Sequence, residues 1–214
     1  MAADQTTPRL LIEGPKKAKW TVALAHGAGA GMRNEFMDTF AAGLVEQRFR
    51  VVRFEFPYME QRHVTGSKRP PDREPVLRAA WQSVIDQYPA DRLVIGGKSL
   101  GGRIASLMAD EAGVAGLVCL GYPFHPSGKP DRLRIEHLEH LRTPALFVQG
   151  EWDTFGDREE VATYPLSDAI RLHWAAEGDH SLSPKKTSAH TREDNWQRAI
   201  KGICRFIEGL APPE

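Results

Sequence analysis

The chain has 214 residues, 41% of them apolar, which is enough for one well-buried core and short for two, so a single domain over 1–214 is expected. Its 28 basic and 28 acidic residues cancel, and a net charge of zero gives no long-range field to draw the chain to nucleic acid or to a membrane surface. No apolar stretch approaches the roughly twenty residues of a membrane span, and Met1–Pro8 is too short and polar for a secretion signal, so a cytoplasmic location is expected.

Apolar runs suited to strands occur at 9–12, 20–25, 51–56, 93–95, 117–120, 145–148 and 170–174. Most are too uniformly apolar for a sheet with one wet face and read as inner strands of a mostly parallel sheet. The turn Gly14-Pro15-Lys16-Lys17 is expected to join the first two strands as an antiparallel hairpin. Helical spacing follows in Phe36, Phe40 and Leu44, in Leu77, Trp81, Val84 and Tyr88, in Ile104, Leu107 and Met108, and in Trp196, Ile200, Ile203 and Ile207. Asn34 and Asp72 are helix-start signals, and the proline-rich, basic stretch Met59–Pro75 reads as a mouth loop. Cys119 falls in a strand and Cys204 in an amphipathic helix, which suits buried thiols better than a disulfide. Alternating strands and helices predict a doubly wound α/β sheet, whose ligands bind at the carboxyl ends of the strands.

One strand end carries a distinct signal. Leu93–Ile95 runs into Gly97-Lys98-Ser99-Leu100-Gly101, a Gly-x-Ser-x-Gly turn leading into a helix. Such an elbow thrusts the Ser99 hydroxyl clear of the sheet, and the N–H of Leu100 at the helix start is a candidate oxyanion donor. A P-loop would need glycine five residues before Gly97, where Arg92 stands. A serine nucleophile requires a base held by a third group. Asp153, after the strand at 145–148, and His180, after the strand at 170–174, supply both in the chain order serine, aspartate, histidine. His173 lies inside a strand-like run, Asp157 begins a short helix, and Asp179 points away from its neighbour His180, so these are the weaker candidates. His137 and His140 sit one helical turn apart and suit a solvated face better than a metal site.

The glycine-rich loop His26-Gly27-Ala28-Gly29 follows the second strand and offers the N–H of Ala28 as the second oxyanion donor. A dinucleotide reading with Glu55 as the ribose acid fails at Met32, where the fingerprint needs glycine.

These segments, with Gly121-Tyr122-Pro123-Phe124-His125-Pro126, Gly150-Glu151-Trp152-Asp153 and Gly178-Asp179-His180, resemble the small predicted hydrolases of the α/β-hydrolase superfamily. In that superfamily the likeness is to relatives of the hydrolase-like domain of a non-specific-lethal chromatin complex subunit and of testis-expressed homologues. The resemblance implies a minimal α/β-hydrolase fold without a cap domain, and Ser99, Asp153 and His180 as its triad.

The expected activity is serine hydrolysis of a small-molecule ester, thioester or related acyl compound, with no cofactor and no metal. Arg62, Tyr122, Phe124 and Trp152 are the candidate substrate-binding residues. The basic residues Arg62, His63, Lys68, Arg69 and Lys129 on strand-end loops raise the expectation of an acyl substrate with a distant negative charge. The alternative is a binding or scaffold module that keeps the fold without the chemistry.

Overall fold

The computed structural model describes residues 8–211, so all of Met1–Pro8 except Pro8 lies outside the described residues. The seven apolar runs become β1 (Leu10–Glu13), β2 (Thr21–Ala25), β3 (Arg50–Phe54), β4 (Leu93–Lys98), β5 (Gly116–Leu120), β6 (Ala145–Gly150) and β7 (Ile170–Ala175). They form one sheet in the order β1-β3-β2-β4-β5-β6-β7, parallel except at β1–β3.

Alternation along the inner strands feeds two cores, because successive side chains point to opposite faces. Ala23, Val52, Ile95, Leu117 and Phe147 face one side. Val22, Val51, Val94, Val118 and Val148 face the other. The second face is covered by α1 (Glu35–Glu46) through Phe36, Phe40 and Leu44, and by α7 (Arg192–Glu208) through Trp196, Ile200, Ile203 and Ile207. Helices α2 (Pro57–Thr65), α3 (Glu74–Ile85) and α4 (Leu100–Ser106) cover the first face, where Trp81 alone removes a whole indole from water. Two single turns, α5 (Ala109–Ala112) and α6 (Arg158–Val161), complete the helices among the described residues. Between β5 and β6 only a 3-10 turn at Glu136–Leu138 is inserted, so there is no cap domain.

The expected hairpin between β1 and β2 does not form. Both edges of β2 are taken by parallel partners, and β1 pairs antiparallel with β3, Leu10 opposite Phe54. The buried Arg53 of β3 explains the pairing. Its guanidinium needs acceptors, and Glu13 of β1 supplies one at 2.7 Å while Met32 O and Asp38 supply others. The stretch after β3 is likewise not all loop: Pro57 opens α2, whose Tyr58 and Met59 are buried. Asp72 does not start α3 but accepts from Tyr58 N–H at 2.8 Å, and the residue capping α3 is Arg73. Asn34 does cap α1, accepting from Met37 N–H.

Candidate active site

Ser99 stands between the last residue of β4 and the first of α4 at φ 49°, ψ −112°, a conformation that costs a non-glycine residue energy and persists only where the surroundings enforce it. The enforcement is visible at its glycines. A Cβ on Gly97 or Gly101 would collide with the carbonyl of Ala25, so both must be glycine for β2, β4 and α4 to meet. Ser99 N–H donates to Leu120 O at 3.0 Å, and Ser99 O accepts from Arg103 N–H at 2.9 Å. The N–H of Leu100 therefore precedes the first intrahelical donor of α4.

Two further strand ends converge on this turn. Asp153, fully buried beyond β6, accepts from Phe155 N–H at 2.9 Å on one oxygen and from Gln149 Nε2 at 2.9 Å on the other. The same second oxygen lies 2.8 Å from His180 Nδ1. A carboxylate held this way only accepts, so Nδ1 carries the proton and Nε2 is left with its lone pair. His180 Nε2 is 2.8 Å from Ser99 Oγ, with the hydroxyl as donor. Phe155 covers the imidazole, its ring centroid 4.3 Å away.

The loop that carries His180 is tied down from several sides. Asp179 accepts from Ser181 and Ser183 N–H, which makes it a turn former rather than a partner of the histidine. Asn195 and Trp196 of α7 donate to the carbonyls of Leu182 and Ser181. Lys98 Nζ donates to His180 O at 2.5 Å.

On the opposite side, the glycine-rich loop after β2 turns its carbonyls away from Ser99. Buried His26 accepts from Phe56 N–H on Nε2, so its Nδ1–H donates to Gly27 O at 2.7 Å; burial pulls its pKa down and keeps it neutral. Tyr58 OH donates to Gly27 O and Ala28 O, both at 3.3 Å. In a planar trans peptide the Ala28 N–H points opposite to Gly27 O, and it has no hydrogen-bond partner among the described residues. Ala28, Gly29, Phe36, Lys98, Ser99 and His180 are among the residues around a cavity of about 380 Å³.

The structure brings Ser99, Asp153, His180, Ala28 and Leu100 together but disperses the candidate substrate-binding residues. Tyr122 and Phe124 are fully buried and pack on Phe147, so they belong to the core and not to the cavity wall. The Tyr122 hydroxyl donates inward to Arg134 O. Arg62 lies outside this cavity, its guanidinium 3.4 Å from the carbonyls of Ala28 and Gly29. Trp152 is half-exposed under Lys185, also away from the lining.

The weaker candidates are accounted for locally. Asp157 caps α6 in a reciprocal pair with Glu160, and His173 on β7 packs against Gly202 with its pKa lowered by burial. Glu55 accepts from Met32 N–H and pairs with His63 at 3.0 Å. His137 is not on a solvated face. Its Nε2 lies 2.8 Å from the buried Ser106 Oγ, and burial pushes its pKa down to about 4. Ser106 gives its proton to Arg103 O at 2.8 Å and no carboxylate holds His137, so this pair is a structural contact. Among the described residues no cluster of His, Cys, Asp or Glu is placed to hold a metal, no helix is long and apolar enough to cross a membrane, and Cys119 and Cys204 are buried and free.

Sequence reasoning passed over Gln149, whose amide joins Asp153 to the segment after β5. A lone buried amide at the end of an apolar strand was its signal.

Residues 18–208 match the alpha/beta hydrolase domain family. The chain belongs to the alpha/beta hydrolase family. Among solved structures, this family member is similar to an alpha-beta serine hydrolase homologue from Coxiella burnetii, with 20% identity over 94% of this chain and 91% of that one and a TM-score of 0.68. A serine hydrolase without a lid from Xanthomonas campestris matches at 20% identity over 95% and 90%, TM-score 0.69. A dienelactone hydrolase from Anabaena variabilis matches at 18% over 94% and 91%, TM-score 0.69. At these identities the likeness carries the fold.

Proposed function

We propose that this family member is a serine hydrolase that cleaves small esters, thioesters or related acyl compounds through an acyl-serine intermediate. The observation that carries the reading is the His180 imidazole, 2.8 Å from both the Ser99 hydroxyl and the Asp153 carboxylate, at the mouth of a cavity. In this reading Ser99 Oγ attacks the acyl carbon while His180 Nε2 takes its proton, and Asp153 holds the imidazole in the Nδ1–H tautomer and balances the imidazolium. The carbonyl oxygen becomes an oxyanion received by the N–H groups of Ala28 and Leu100. Collapse breaks the bond to the leaving group, which takes the proton from His180. Water then repeats the sequence on the acyl-serine and releases the acid. None of these steps calls on a cofactor. The absence of a cap domain favours small, readily diffusing substrates over long-chain fats, and the cytoplasm as the place of action remains part of the reading. The closer likeness to the chromatin-complex relatives rests on Lys98 and the segment Gly121–Pro126.

The test is covalent labelling with a fluorophosphonate probe, the adduct mapped by peptide mass spectrometry, beside hydrolysis of 4-nitrophenyl acetate. Ser99 is expected to carry the label, and Ser99→Ala to lose on the order of a millionfold in kcat, with some background surviving. Unchanged turnover in folded Ser99→Ala protein overturns the assignment.

A further inference from the structure

Among the described residues Lys98 is the one lysine or arginine bordering the Ser99 cavity, and no carboxylate borders it. Its side chain is lodged between Gly27, the Phe36 ring, whose centroid is 5.5 Å from Nζ, and the His180 loop. An ammonium has three N–H donors, and in Lys98 one is used, on His180 O. The carboxylates within electrostatic reach, Asp153 and Asp179, form no ion pair with it: Asp153 holds His180, Gln149 and Phe155 N–H, and Asp179 holds its own turn. Holding a half-buried cation with no ion-paired carboxylate is costly, and burial, only partly offset by the more distant charges of Asp153 and Asp179, lowers the Lys98 pKa to about 8. An anion in the cavity would supply both the missing acceptors and the missing charge.

We propose that the cavity beside Ser99 takes acyl substrates bearing a carboxylate a few atoms from the scissile carbonyl, with the Lys98 ammonium as its counter-ion. The inference rests on the serine hydrolase reading and gives it a substrate class. It also moves charge selection away from Arg62, whose guanidinium lies on the loop carbonyls and faces a separate cavity with His63 and Lys68. Because Lys98 also braces the His180 loop, a loss of rate alone would not separate binding from positioning.

The experiment therefore reads a ratio. kcat/KM is measured for the 4-nitrophenyl monoesters of glutaric and adipic acid against 4-nitrophenyl pentanoate and hexanoate, with spontaneous hydrolysis subtracted. In the wild type at least one acid monoester is expected to exceed its neutral counterpart by about tenfold or more, the range of a charge-assisted hydrogen bond. Lys98→Met is expected to bring that ratio to about one, Lys98→Arg to keep part of it, and Arg62→Ala to keep it. A wild-type ratio at or below one for both acids, or a ratio that survives Lys98→Met, overturns the proposal. Should Lys98→Met fail to fold, the wild type alone suffices: glutarate or adipate is expected to slow fluorophosphonate labelling of Ser99 at concentrations where the corresponding diamide does not, and equal protection overturns it. Labelling at Ser99 with no preference for the acids sinks this inference alone, whereas no labelling at Ser99 sinks the hydrolase reading and this one with it.

Discussion

Replacing Gln149 with leucine keeps nearly the same volume and removes four hydrogen bonds. The amide oxygen accepts from Tyr122 N–H at 2.7 Å, and the two N–H of Nε2 are shared among Asp153 at 2.9 Å, Gly156 O at 3.0 Å and Tyr122 O at 3.2 Å. Two of these partners find others: Tyr122 O still accepts from Phe124 N–H, and Asp153 still holds His180 and Phe155 N–H. Tyr122 N–H and Gly156 O have none among the described residues and are left orphaned beside a fully buried side chain. At about 1–3 kcal/mol for each unsatisfied buried group, the loss is about 2–6 kcal/mol, reduced somewhat by the apolar gain of leucine. Against a total stability of about 5–15 kcal/mol the variant is expected to fold, with its urea midpoint lowered and its m-value unchanged. Asp153 also loses the donor that fixes the oxygen facing His180, so kcat for 4-nitrophenyl acetate is expected to fall about tenfold or more with KM little changed. Gln149→Glu, which sets a second carboxylate against Asp153, is expected to be worse on both counts. A Gln149→Leu protein within about 1 kcal/mol of wild type and fully active would refute the claim that this amide couples the acid loop to the sheet.

Two further outcomes follow from the same geometry. Gly101→Ala drives a Cβ into the carbonyls of Ala25 and His26, and is expected to cost about 1–3 kcal/mol and most of the activity, whereas a Cβ at Gly29 meets nothing and Gly29→Ala should leave stability within about 0.5 kcal/mol; paired urea titrations check both. His137, with its folded-state pKa pushed below the unfolded value to about 4, contributes stability that is present above about 6.5 and lost as pH falls toward 4. After discounting for its partial exposure, wild type should lose on the order of 1–2 kcal/mol more than His137→Asn between pH 7 and pH 4 in urea titrations, and equal losses would remove His137 as the cause.

The inner strands β2 to β6 were legible because burial on both faces writes itself as largely apolar runs, with Val22, Val51, Val94, Val118 and Val148 on one face and Ala23, Val52, Ile95, Leu117 and Phe147 on the other, whereas β1 and β7 at the edges are only partly buried. What failed was pairing and polar bookkeeping. Leu10–Glu13 has the composition of a strand but nothing local that chooses β3 over β2; the choice is made by a buried arginine forty residues on. Met59–Pro75 looked unstructured because its polar residues outnumber its apolar ones, yet a helix nine residues long needs only two buried side chains, Tyr58 and Met59, and a proline at its start to hold it against the sheet.

The hydrogen-bonded chain of Ser99, His180 and Asp153 was legible for a different reason. A parallel sheet delivers the ends of neighbouring strands to one rim, so Ser99, Asp153 and His180 had only to be polar, near a strand end and in a workable order to be brought within hydrogen-bond reach. The same rule misplaced Tyr122 and Phe124, which also follow a strand. Gly121 takes φ 61° there and turns the chain down over β6, where two large rings gain more from burial on Phe147 than from lining a cavity. Position along the strand fixes where a backbone arrives; which way an aromatic side chain then points is decided by the apolar area it can bury, and that area belongs to residues distant in sequence. Lys98 shows the converse. Its place one residue before Ser99 was plain, but its having a cavity, a single carbonyl acceptor and no ion-paired carboxylate comes from four separate segments, and it is that combination rather than its charge that makes it a candidate for selecting substrates.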